Sequence, residues 1–251
     1  MRVYRGRAKS IAADRAASDR IVERVAAERD PAVRVWRPHR QVAFGRRDAT
    51  EPGYDRAREA ASDRGFPPVE RDVGGRAVAY TGSTIAFARV TPIDDARAEL
   101  HERYDAATAD LLEALATLGV DAREGEPPDS FCPGTHSVQA DPIASEGTAG
   151  RTCKLAGLAQ RVRKTVAVVA GVLVVRDHEA VAGVLDPVYD ALGVPFDPGT
   201  VGSVARAGGE SDPDAVAAAV EGELVGDRET MVERVGEGSS GDAAGGGNHG
   251  T

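Results

Sequence analysis

A run of small and β-branched apolar residues, TVAVVAGVLVV at 165–175, leaves this chain few options. No charge interrupts it, and it is too short to span a bilayer, which takes roughly 20 apolar residues. Apolar side chains on both faces predict a strand in the middle of a sheet, with helices to cover it. The stretch 152–160 reads as its neighbour, also central.

The rest of the chain supplies those layers. Ser10 as N-cap, Ile11, Ile21, Val22 and Val25 as the apolar stripe, and Asp30-Pro31 as the stop predict a helix over 10–29. Val33–Trp36 and Gln41–Phe44 read as strands around Pro38, and a polar helix over 51–64 ends at Gly65. Val69–Arg71, Ala77–Tyr80 and Ile85–Val90 read as strands separated by Val73-Gly74-Gly75 and Thr81-Gly82-Ser83. Leu100, Tyr104, Ala107, Leu111, Leu115 and Leu118 recur at three and four residues, which predicts a helix over 94–118 stopped by Gly119. A loop rich in Gly, Pro and Glu follows at 121–130, and 141–150 reads as a polar hairpin excursion. Further helices are expected at 178–192, 199–206 and 212–224. We divide the chain into a main domain (1–205), a C-terminal helical extension (206–235) and a Gly- and Ser-rich tail (236–251) with too few apolar side chains to order.

Charge narrows the classes of function. The net charge is -9, and of the 31 basic residues only Lys9, Lys154 and Lys164 are lysines. That balance fits adaptation to a salt-rich cytoplasm or the composition of a GC-rich genome; either way it disfavours nonspecific nucleic-acid binding, which needs clustered cations. The first thirty residues lack the apolar centre of an export signal, so the cytoplasm is expected, with no membrane partner. There a disulfide between the two cysteines is disfavoured, and no ligand spacing points to zinc. Packing or chemistry remains.

Three segments carry chemical potential. Arg71-Asp-Val-Gly74-Gly75 could be a plain hairpin turn, or a loop whose amides and arginine cradle an anion. Cys132, between Phe131 and Pro133-Gly134, could be a buried small hydrophobe or an exposed loop nucleophile, whereas Cys153 sits in an apolar run. Lys154 opens the strand Lys-Leu-Ala-Gly157-Leu-Ala-Gln160; it either snorkels to water or meets an anion or polarised carbonyl. His136 is either a base for Cys132 or a solvated loop histidine.

In this order, R-x-x-G-G (Arg71, Gly74, Gly75), Cys132-Pro133-Gly134 and K-x-x-G-x-x-Q (Lys154, Gly157, Gln160) followed by Arg161 resemble the lipoate-protein ligases and octanoyl or lipoyl transferases. Trp36-Arg37-Pro38 and Phe44-Gly45-Arg46 look like that family's opening strands, and the likeness covers about residues 10 to 205. The cysteine-dependent amidotransferase branch is the nearest. ATP-dependent ligases carry a third glycine and a histidine in the first motif, where this chain has Arg76 and Tyr80; many members carry an Asp where it has Ser137.

The resemblance implies an α/β (α+β) domain of the biotin/lipoate protein ligase type, a mixed or antiparallel sheet backed by helices. It implies an acyltransferase that moves an octanoyl or lipoyl group through a Cys132 thioester, with Lys154 at the acyl carbonyl and Arg46, Arg71, Gly74, Gly75, Gly157 and Gln160 binding substrate. The implied partners are lipoyl carrier domains, namely glycine cleavage H protein and the 2-oxoacid dehydrogenase E2, with no cofactor or metal required. Two alternatives are an ATP- and magnesium-dependent lipoate ligase and a non-enzymatic lipoate-binding protein.

Overall fold

The computed structural model describes residues 1–71, 75–143 and 151–236. The apolar run forms strand β10 (Val166–Leu173), and its partner β9 (Cys153–Val162) pairs with it antiparallel. On the other flank of β10 lies β6 (Ile85–Pro92), followed by β2 (Ala32–Trp36) and β1 (Arg2–Arg5). β8 (Ser137–Ala140) and β7 (Ala122–Glu124) extend the sheet beyond β9. β11 (Met231–Arg234) adds to β1 in parallel, giving the order β11-β1-β2-β6-β10-β9-β8-β7. A smaller sheet has the order β4-β3-β5, from Pro68–Glu70, Gln41–Phe44 and Val78–Tyr80.

Helices cover both sheets. α1 (Ile11–Glu28) starts where the Ser10 side chain accepts from the Ala13 N–H, and packs Ile21 and Val25 on Ala32, Val90 and Val166. Beneath it, the guanidinium of Arg34, 1% exposed, meets Asp14 Oδ1 at 2.6 Å and Ser18 Oγ at 2.6 Å, which pairs a buried cation with a carboxylate and ties α1 to the sheet. α3 (Leu100–Thr117) and α5 (Pro213–Val225) bury Leu111, Leu115, Val216 and Val220 against Val33, Val35, Phe87 and Leu155. α2 (Tyr54–Asp63) and α4 (His178–Leu192) back the small sheet with Ala57, Ala61, Val184 and Leu185.

The mixed α/β architecture with helices on its sheets agrees with the sequence reading, and several elements differ in detail. The helix expected from residue 94 begins at Leu100, and the one expected at 199–206 is only a 3-10 turn, Pro198–Thr200. Within 206–235 lie one helix and a strand, and that strand, β11, hydrogen-bonds along β1 in the large sheet. The hairpin excursion falls largely on 144–150 and the Gly-rich tail on 237–251, outside the described residues.

The core strand also departs from a strand buried on both faces. Val166, Ala167, Val169 and Leu173 are buried, whereas Val168, Ala170 and Val172 are half-buried. The latter three line a cavity of about 590 Å³ together with Gly157, Ala159 and Ala86. Register explains the shape: Gly157, Val172 and Ala86 form one cross-strand row, and Ala159 pairs with Ala170 in the next. Small side chains in adjacent rows leave depth above the sheet, and α1 supplies the opposite wall through Ile11, Ser18 and Val22.

Candidate active site

One edge of that cavity is formed by the loop between β7 and β8. Phe131 is buried in the core of the small sheet beside Phe44, Ala77 and Tyr189, and this anchor brings Cys132 and Pro133 to the cavity wall. Cys132 has φ +43°, a left-handed conformation costly for a residue with a side chain. Its surroundings over-determine it: the Cys132 N–H donates to Tyr189 Oη at 2.6 Å, and Tyr189 Oη in turn donates to the Ala77 carbonyl at 3.0 Å. From below, Lys154 Nζ donates to the carbonyls of Phe131 and Cys132, both at 3.0 Å.

Lys154 is wholly buried, and its anion is Glu126, whose Oε1 and Oε2 lie 3.0 and 2.9 Å from Nζ. Burial pushes the Lys154 ammonium below the usual lysine range, opposed by the pull of Glu126. The same carboxylate accepts from the Ser130 and Ser137 hydroxyls and from the Gly134 N–H at 3.3 Å. Four polar groups, from the loop, β8 and β9, therefore converge on one side chain. Glu126 was passed over in the sequence as part of a Gly- and Pro-rich connection. Its signal was there: a lysine in an apolar strand needs an anion, and Glu126 heads the segment that leads to the cysteine.

Two donors meet the sulfur. Arg71 Nη2 and the Arg76 N–H each lie 3.4 Å from Cys132 Sγ. Arg71 follows β4 (its N–H donates to the Phe44 carbonyl), and its Nη2 also binds the Arg76 carbonyl at 2.7 Å. Gly75, at φ +94°, could carry no side chain, because a Cβ there would stand 2.8 Å from the sulfur and 2.9 Å from Arg71 Nη2. Arg76 is held as well: its Nη1 reaches Glu51 at 2.7 Å and the buried Asp48 at 3.4 Å, next to the backbone N–H that faces Sγ. Burial raises the Asp48 carboxyl above the usual range despite the Gly45 N–H and Arg76.

The other anticipated residues are spread more widely. Gly157 lies on the cavity floor. Gln160 lines the cavity as well; its backbone N–H donates to Tyr104 Oη at 2.6 Å, while its amide oxygen and nitrogen are buried without a partner among the described residues. Arg46 is exposed on the turn after β3 and lies off the cavity, whereas Arg47 lines it. Gly74 lies outside the described residues. His136 lines the cavity with its ring stacked on Tyr104 (centroids 3.7 Å apart, planes 4° from parallel), and it makes no hydrogen bond to Cys132 among the described residues.

These observations define a two-layer α/β domain holding a deep, mostly apolar cavity with a thiol on its wall. The model of the Lipoyl protein ligase A/B catalytic domain matches residues 10–220, and the chain belongs to that family. It is 29% identical over 144 residues to octanoyl-GcvH:protein N-octanoyltransferase of Geobacillus kaustophilus, an alignment covering 57% of this chain and 47% of that protein. It is 32% identical over 139 residues to the protein of the same name from Exiguobacterium sibiricum, covering 55% and 46%. The chain thus spans about half the length of the curated relatives it matches. In fold it is similar to lipoate-protein ligase A bound with ATP, at a TM-score of 0.71 and 20% identity, over 94% of this chain and 89% of that one. No described helix is long and apolar enough to cross a membrane.

Proposed function

We propose that this domain moves an octanoyl or lipoyl group onto the lysine of a lipoyl carrier domain through a thioester on Cys132. The observation that carries this reading is the sulfur itself, seated between a guanidinium and a backbone N–H on the wall of a 590 Å³ apolar cavity. An eight-carbon tail gains roughly 0.8 kcal/mol for each methylene it buries there. In the first half-reaction Cys132 Sγ attacks the carbonyl carbon of the amide that joins the acyl group to a donor carrier's lysine. The carbon–nitrogen bond breaks, the proton lost by the thiol ends on the departing amine, and a thioester remains. In the second, the ε-amine of an acceptor carrier attacks the thioester, the carbon–sulfur bond breaks, and a proton from the amine returns to sulfur.

Lys154 lies close enough to Cys132 for the two charges to interact, and we assign it to the acyl carbonyl in keeping with the family resemblance. Its ammonium is shared among Glu126 and two carbonyls, so that role requires it to release one of them. Arg71, Gly75, Gly157 and Gln160 are the proposed substrate-contacting residues. The name of the relatives, octanoyl-GcvH:protein N-octanoyltransferase, supports a GcvH carrier, and the E2 lipoyl domains are the other proposed partners. Two unpaired cysteines suit a reducing cytoplasm. The exchange of an amide for an amide needs neither ATP nor metal.

Intact-mass measurement after incubation with an octanoylated carrier tests the reading: an octanoyl-sized increment is expected on the chain, lost in Cys132→Ser. Acylation of an apo carrier from free lipoate, dependent on ATP and magnesium, would put the ligase reading in its place. Tight lipoate binding with neither reaction would leave a binding protein.

A further inference from the structure

Two cations stand near the nucleophile, and the structure treats them differently. Lys154 directs its hydrogens to Glu126 and to the carbonyls of Phe131 and Cys132 rather than to the sulfur, and a carboxylate neutralises its charge at 2.9 Å. Arg71 has no carboxylate partner among the described residues. Its Nη2 binds a carbonyl and Cys132 Sγ, and its Nε is buried without a partner among the described residues. A guanidinium and a backbone N–H that donate to a sulfur favour its thiolate over its thiol, and Cys132 Sγ is the group that meets both.

We infer that Arg71, with the Arg76 amide, is the anion hole of the Cys132 thiolate, and that Lys154 and Glu126 form the strut that positions the cysteine. This rests on the thioester reading and assigns each charged group a separate task. The other titratable groups around the sulfur are consistent with it. Tyr189 from α4 and Tyr80 from β5 both have their phenols pushed up, chiefly by burial, so they stay neutral. Asp48 is occupied by the Gly45 N–H and Arg76, and His136 by its stack on Tyr104. That leaves Arg71 as the cation in contact with sulfur, and the strut as what holds Cys132 at φ +43°.

The two tasks separate in the pH profile of Cys132 alkylation by iodoacetamide, followed by mass spectrometry on the full chain without acyl donor. Arg71→Gln should move the midpoint of that profile up by about one to three pH units and restore the rate at high pH, because only the charge that favours the thiolate is gone. The paired replacement Glu126→Gln with Lys154→Met should lower the rate by a similar factor at every pH and leave the midpoint in place, since it loosens the loop, removes a cation together with its own carboxylate and leaves the guanidinium on the sulfur. Melting curves establish folding, and Arg71→Met serves in the same way if the glutamine variant does not fold. An unshifted midpoint in the Arg71 variants, or an upward shift in the strut variant as large as theirs, overturns the assignment. Because alkylation uses no carrier, its outcome is independent of whether acyl transfer is found.

Discussion

Cys132 and Cys153 present the same atom to opposite surroundings. The Cys132 sulfur faces donors, a guanidinium and a backbone N–H, on a loop held in a left-handed conformation. The Cys153 sulfur, 1% exposed at the start of β9, faces acceptors: the carbonyls of Arg151 at 3.5 Å and Gly199 at 3.4 Å. Donors stabilise a thiolate and carbonyls stabilise a thiol, so burial pushes the Cys153 thiol up, with only partial relief from Arg206 and Arg151. The two sulfurs thus differ in which atoms the fold turns toward them, more than in whether the residue is in a strand or a loop.

The largest effect that would break this contrast is on transfer. Cys132→Ser should lower carrier-to-carrier transfer by at least about a thousandfold, as loss of a covalent nucleophile does. Cys153→Ala should stay within about threefold of the parent, because it removes only packing. Full activity in Cys132→Ser would end the thioester reading and leave Cys132 as a wall of the cavity.

Next in size is selectivity toward a thiol reagent. In the folded chain at pH 7.5, Cys132 should react with iodoacetamide about a hundredfold faster than Cys153, whose reaction must wait for local opening. In denaturant the two rates should converge. Comparable rates in the folded state would mean that the β9 edge opens readily and that the acceptor environment of Cys153 does not persist.

The contrast was half visible in the sequence. Local context distinguished the two cysteines, since one is framed by Pro133-Gly134 and the other lies in an apolar strand. β9 and β10 were likewise legible because a long apolar run has few alternatives. What composition could not convey was the use of each face: Val168, Ala170 and Val172 look like core, and an apolar cavity wall has the same chemistry as a core until something fills it. Nor could it convey pairing across the chain. β1 and β11 are short charged strands, Arg2–Arg5 and Met231–Arg234, that become strands only through each other and β2. Tyr189 is similar: it reads as one more apolar position of α4, and only the fold brings its hydroxyl to the Cys132 N–H.

The smallest effect sharpens the comparison most, because it measures the Cys153 environment without any chemistry on carriers. At pH 7 both folded and unfolded chains keep the Cys153 proton, so Cys153→Ala should cost only the lost packing, about 1 kcal/mol. As pH rises past about 8.5, the ordinary thiol value, the unfolded chain releases that proton while the folded chain, whose thiol is pushed up, retains it. The unfolded state then binds fewer protons than the folded one, so this group's contribution to stability falls with rising pH, by up to about 1.4 kcal/mol per unit until the folded thiol also ionises. The alanine variant has no such contribution to lose. Urea unfolding of both proteins in reductant should therefore show a gap that narrows from pH 7 to pH 9.5; the raised tyrosines Tyr4, Tyr54, Tyr80, Tyr104 and Tyr189 are common to both and cancel in the difference. A gap that stays constant would show that Cys153 ionises as readily folded as unfolded, and the two cysteines would then differ in position alone.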